Sequence, residues 1–222
     1  MKSVKKMLGG LSSLFSGPKG EQIPGVSVSK QSVVGDVVND VKRAVPVIKK
    51  VKTEKQLLNL FSKAEMRVGE ITTSSYLPKN SVYYLSSVSI GEETRQVLSA
   101  LRSEIPIEQM EGKVIVLCNV KSKKLVRRDS HGYILWSFNE QEKQSGLLRP
   151  DNTAKVGDRI ILQSQQETAI NITKQLTNMN ISDILENCEI DHEGSISFCN
   201  QSLVTQSDAL PVTGVKAGCV NN

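Results

Sequence analysis

Apolar residues recur at spacings of three and four at Val37, Val38, Val41, Val45 and Ile48, and again at Leu57, Leu58, Leu60 and Phe61. That period predicts amphipathic helix within residues 36–63. Pro46 breaks the first stripe, because proline removes a backbone donor and clashes with the preceding turn. From residue 66 the period shortens. Runs over 66–74, 82–90, 94–101, 113–120, 133–138 and 159–163 predict short strands. Turn residues separate them at Pro78–Asn80, Gly91-Glu92, Glu111-Gly112, Arg149-Pro150-Asp151 and Val156-Gly157-Asp158. The run KVIVLCNV at 113–120 is apolar almost throughout, which predicts a strand buried on both faces. Beyond residue 165, helical turns are expected within 170–187 (Leu176, Ile181, Ile184, Leu185) and short strands at 195–198 and 202–205.

Five or six short strands in about 100 residues fit a small closed barrel of the OB type, and a small sandwich fits the same pattern. The expected fold is mainly β. It divides into a basic N-terminal extension over 1–65, mostly disordered or helical, an OB-fold barrel over 66–165, and a small C-terminal α+β subdomain over 166–222.

Charge sharpens this division. Residues 1–65 hold 12 Lys/Arg against 5 Asp/Glu, residues 66–128 hold 10 against 6, and residues 129–222 hold 6 against 12. A polyanion is drawn to the first two blocks and repelled by the third. Five cations, Lys121, Lys123, Lys124, Arg127 and Arg128, fall within eight residues directly after the strongest strand. Residues 1–20 carry four lysines and no acid. They are read as a disordered basic arm, with an organellar transit peptide as the alternative.

Several function classes are excluded. No apolar run approaches the length of a membrane-spanning helix. Cys118, Cys188, Cys199 and Cys219 form no C-x-x-C pair, which speaks against a zinc site or a disulfide framework and for free thiols in a reducing compartment. There is no phosphate-binding glycine-lysine loop and no G-x-G-x-x-G. His131 and His192 are the only histidines. Ser130 and His131 are adjacent, so on extended chain their side chains diverge and cannot act as a nucleophile and its base. No catalytic, metal or cofactor site is expected.

The span from Met66 to Leu162 resembles the tRNA-binding domain of the endothelial monocyte-activating polypeptide family, which includes synthetase-associated cofactors and C-terminal parts of some tyrosyl- and methionyl-tRNA synthetases. The resemblance rests on RVGEI (67–71), LPKNSVYYL (77–85), IGEETRQVLSAL (90–101), IPIEQMEGKVIVLCNVKSKKL (105–125), Ser130-His131-Gly132 and VGDRI (156–160). Neither synthetase catalytic signature is present. The chain departs from the family pattern at Leu77, Lys79, Ala100 and Tyr133, and Arg127 stands where the family has glycine. The resemblance implies a non-catalytic, structure-selective tRNA-binding protein, cytoplasmic, acting beside one or more aminoacyl-tRNA synthetases. A scaffold of a multisynthetase complex and a cytokine-like secreted protein are the alternatives. The implied tRNA-binding residues are Lys79, Ser99, Arg102, Asn119, Lys121, Lys123, Lys124, Arg127, Arg128 and Ser130, with Tyr83, Tyr84, Tyr133 and Trp136 as aromatics that can stack on bases or pack in the core. The tail resembles a subdomain that stands in for a second subunit, implying a monomer with a pseudo-dimer interface.

Overall fold

The computed structural model describes residues 52–139, 142–165 and 175–215. The disorder expected over 1–35, the transit-peptide alternative at 1–20 and the apolar stripe around Pro46 lie outside the described residues. In chain order the elements are helix α1 (Glu54–Phe61), strands β1 (Met66–Tyr76), β2 (Tyr84–Ser89), β3 (Thr94–Ser99), β4 (Gly112–Leu117), β5 (Lys123–Leu125), β6 (Arg128–Ser130), β7 (Tyr133–Ile134), β8 (Trp136–Asn139), β9 (Gln144–Leu147), β10 (Arg149–Pro150) and β11 (Ile160–Leu162), helix α2 (Asn178–Glu186), and strands β12 (Cys188–Ile190), β13 (Ile196–Phe198), β14 (Gln201–Thr205) and β15 (Val212–Thr213).

The main sheet runs β3-β2-β1-β4-β7, with neighbouring strands antiparallel. Its two edges meet. The His131 N–H donates to the Gln96 carbonyl at 2.9 Å, and the Leu98 N–H donates to Ser130 Oγ at 3.1 Å. These bonds curl the sheet into a barrel and remove its exposed edge. At the middle of β1 a Cβ on Gly69 would lie 2.7 Å from Val116 Cγ2 and 2.8 Å from Val88 Cγ1, so the packed interior leaves room only for glycine.

β4 explains its own apolar run. Val114 and Val116 pack into one core with Val88, Val97 and Leu101. Ile115 and Leu117 pack into a second core with Phe61, Leu162 and Phe198. Alternate residues of a strand face opposite sides, so β4 is the wall between two cores and needs no polar face. Each such side chain, fully buried, contributes about 1.5–3 kcal/mol.

The second core ties both ends of the described chain together. Thr53 caps α1 through a capping box with Gln56, satisfying backbone donors at the helix start. The helix buries Leu57, Leu60 and Phe61. Lys52 pairs with Asp183 of α2. The last residues of the basic extension are therefore built into the C-terminal half. That half is a four-stranded sheet, β11-β14-β13-β12, whose first strand follows directly from the barrel.

The strand expected over 133–138 is interrupted at Leu135. Its N–H donates to the Ile115 carbonyl at 2.9 Å, after which β8 leaves β4 and pairs with β9. Arg159 begins no regular strand, and its guanidinium donates to the Ala64 carbonyl at 3.1 Å. No helix among the described residues is long and apolar enough to cross a membrane.

Candidate nucleic-acid interface

The lysine-rich stretch after β4 folds as a hairpin. β5 and β6 pair Lys123 with Ser130, Lys124 with Asp129 and Leu125 with Arg128. That register leaves Val126 and Arg127 as the two turn residues, at φ 49° and 62°. Positive φ at both positions is the primed turn whose twist matches paired strands. Arg127 therefore occupies a left-handed position where glycine is the easiest residue. Lys121, Lys124, Arg127 and Arg128 are all exposed. Lys123 lies in β5 opposite Ser130.

The polar residues at the root of the hairpin are engaged in the fold. Asn119 Oδ1 accepts the Glu65 N–H at 2.8 Å, and its Nδ2 donates to the Lys63 carbonyl at 2.7 Å. The Asn119 carbonyl accepts the Leu176 N–H at 2.8 Å. One residue thus joins the chain after α1, the end of β4 and the start of the C-terminal subdomain. Ser130 is buried, accepts the Leu98 N–H and donates to the Gly132 carbonyl at 3.3 Å. Arg95 was not singled out from the sequence. Its Nη1 donates to the Cys118 carbonyl at 2.7 Å and the His131 carbonyl at 3.3 Å, pinning β3 against both ends of the hairpin segment. A cleft of about 460 Å³ opens here, lined by Arg95, Gln96, Cys118, Ser122, His131 and Gln175 among others.

The remaining sequence-predicted residues sit elsewhere. Registers align Met66 with Leu117 and Leu117 with Tyr133, and Tyr76 with Tyr84 and Tyr84 with Ser99. Lys79 and Arg102 lie outside the hairpin, Lys79 in the turn after β1 and Arg102 shortly after the end of β3. Lys79 is exposed at φ 57°. Arg102 donates to the Asn80 carbonyl and lies over the Tyr76 ring, 4.5 Å from its centre. Tyr76 is 53% exposed. Of the expected aromatics, Tyr84 is in the core with its hydroxyl on the Ile105 carbonyl at 2.9 Å. Tyr83, Tyr133 and Trp136 are partly exposed. Burial, then the nearby Tyr83, holds the Tyr133 hydroxyl pKa above its ordinary value. Ser99 is buried beside Tyr133 and Trp136. Among the described residues no group of three or more His, Cys, Asp or Glu is placed to hold a metal ion.

Comparison with known proteins agrees with this geometry. Residues 66–159 match the family described as "Putative tRNA binding domain". The chain is 33% identical over 118 residues to a methionine–tRNA ligase of Methanospirillum hungatei, covering 53% of this chain and 17% of that protein. It is 31% identical over 134 residues to a probable methionine–tRNA ligase of Oryza sativa, covering 58% of this chain and 17% of that one. The match thus spans about one sixth of those relatives' length. The C-terminal domain of Plasmodium vivax p43 superimposes with a TM-score of 0.62 at 24% identity, covering 71% of this chain and 96% of that one, which establishes a shared fold. Residues 66–159 are thus similar to the tRNA-binding domain family.

Proposed function

We propose that this protein binds tRNA through the exposed cations of the β5–β6 hairpin and acts, without catalysis, as a cytoplasmic accessory factor that raises the local tRNA concentration at one or more aminoacyl-tRNA synthetases. The observation that carries this reading is the hairpin itself. Lys124, Arg127 and Arg128 are exposed on one short two-stranded hairpin, and Lys121 is exposed two residues before it. Cations so placed displace counterions from phosphates, which gives affinity and register rather than sequence selection. The family match over residues 66–159 supports RNA as the polyanion, and the similar methionine–tRNA ligases support a synthetase as the neighbour. The C-terminal half, which carries the chain's acidic excess, is expected to face away from the RNA and to cover the barrel wall as the second subunit of a dimer would.

The test is a tRNA titration of the full chain at two salt concentrations, beside a Lys121/Lys124/Arg127/Arg128→Ala variant. Wild-type affinity should fall steeply with salt. The variant should bind at least roughly tenfold more weakly, with a log–log salt slope shallower by about 3. A variant that binds as the wild type, or binding indifferent to salt, would sink the hairpin as the RNA site and favour a protein-docking role.

A further inference from the structure

A slot opens on the barrel surface between the end of β3 and strands β7 and β8. Its walls include Leu98, Ser99, Leu101, Tyr133, Ile134 and Trp136, and its volume is about 20 Å³. Ser99 is only 7% exposed, and its hydroxyl has no hydrogen-bond partner among the described residues. A buried hydroxyl left unpaired costs about 1–3 kcal/mol. The neighbouring residue, Leu98, gives its N–H to Ser130 at the end of β6. The slot therefore adjoins the root of the cationic hairpin.

We propose that this slot receives the edge of one unstacked nucleobase of the bound RNA. The inference rests on the RNA-binding reading of the hairpin. The volume admits an exocyclic amino or carbonyl group, not a whole ring. That group pairs with Ser99 Oγ, while the face of the base lies on the partly exposed Tyr133 and Trp136 rings. The phosphates on either side then reach the hairpin cations. A base supplies both a flat apolar face and a polar edge. A hydroxyl donates and accepts equally well, so the slot tells a base from no base without choosing among the four. The hairpin supplies charge, and the slot supplies selection for RNA regions where a base is splayed out.

Trp136 is the chain's single tryptophan, so its emission reports on the slot. The full chain is titrated with tRNA, with a short single-stranded RNA, and with an abasic ribose-phosphate oligomer of the same length. The base-bearing oligomer should quench Trp136 and bind roughly tenfold more tightly than the abasic one. Ser99→Ala should weaken the base-bearing oligomer roughly fivefold, leave the abasic one unchanged, and not lower the melting temperature. The four-cation hairpin variant should weaken both. Equal affinity for the two oligomers, unchanged emission, or a Ser99→Ala chain that binds as wild type overturns the slot while leaving the hairpin reading intact. Failure of the wild-type chain to bind any of the three RNAs overturns the hairpin reading, and the slot falls with it.

Discussion

The ring of Phe61 lies 4.9 Å from the ring of Phe198, tilted by 37°. One residue closes α1 and the other ends β13, so this contact joins the first described helix to the C-terminal sheet. Truncating either ring removes a large buried group. Phe61→Ala is expected to cost about 3–5 kcal/mol, read from the urea midpoint. A chain beginning at residue 66 loses all of α1 and uncovers Phe198. It should bind a hydrophobic dye and unfold at a lower temperature than the full-length protein.

Closure of the barrel depends on Ser130. Replacing it with alanine strips the Leu98 N–H of its acceptor inside the protein, a loss of about 1–3 kcal/mol. Ser130→Ala should lower the melting temperature and speed amide exchange at Leu98. Unchanged protection at Leu98 would show that the edge is held by other contacts.

The turn of the hairpin stores strain. A non-glycine residue in the left-handed region costs about 1–2 kcal/mol, and a β-branched one is the least suited. Val126 sits there at φ 49° and 47% exposed, with little packing to lose. Val126→Asn should raise stability by about 1 kcal/mol without changing RNA affinity. Arg127→Gly should also stabilise, yet reduce the salt slope by about one cation. Differential scanning calorimetry and the two-salt titration separate these effects.

Two buried thiols link stability to alkaline pH. Burial pushes the Cys188 thiol up to about 12 from 9.0, and burial ahead of nearby charges pushes Cys118 up to about 11 from 9.0. Both folded-state values lie above the unfolded one. Their contribution is therefore complete below pH 9 and is lost as pH rises from there towards 11 and 12, because only the unfolded chain ionises readily. Stability measured between pH 8 and 11 should fall, and the fall should flatten in a Cys118→Ala/Cys188→Ala chain. At pH 8, iodoacetamide should modify the half-buried Cys199 before either of them.

The sequence made some features plain and hid others for physical reasons. β4 was visible as an unbroken apolar run because both its faces are covered. β5 and β6 left no such mark, since a projecting hairpin of lysines and arginines buries little and shows no alternation. α1 was legible from its Leu57, Leu60 and Phe61 stripe, but a stripe does not name the surface it meets. Asn119 and Ser130 were recognisable as hydrogen-bonding groups. Only the structure shows that their partners include the backbone of Lys63, Glu65 and Leu98.

The union of α1 with the C-terminal sheet sets an order of events during synthesis. Lys52 and its partner Asp183 are 131 positions apart. At common translation rates of about 5–20 residues per second, the helix waits on the order of ten seconds for the surface that covers it. Throughout that interval Leu57, Leu60 and Phe61 face solvent or a chaperone, and the outer wall of the barrel stays bare. A ribosome that stalls before residue 181 would release a barrel without its second core, so the codons for α2 and the strands after it decide whether the nascent chain covers its barrel wall or becomes a substrate for quality control.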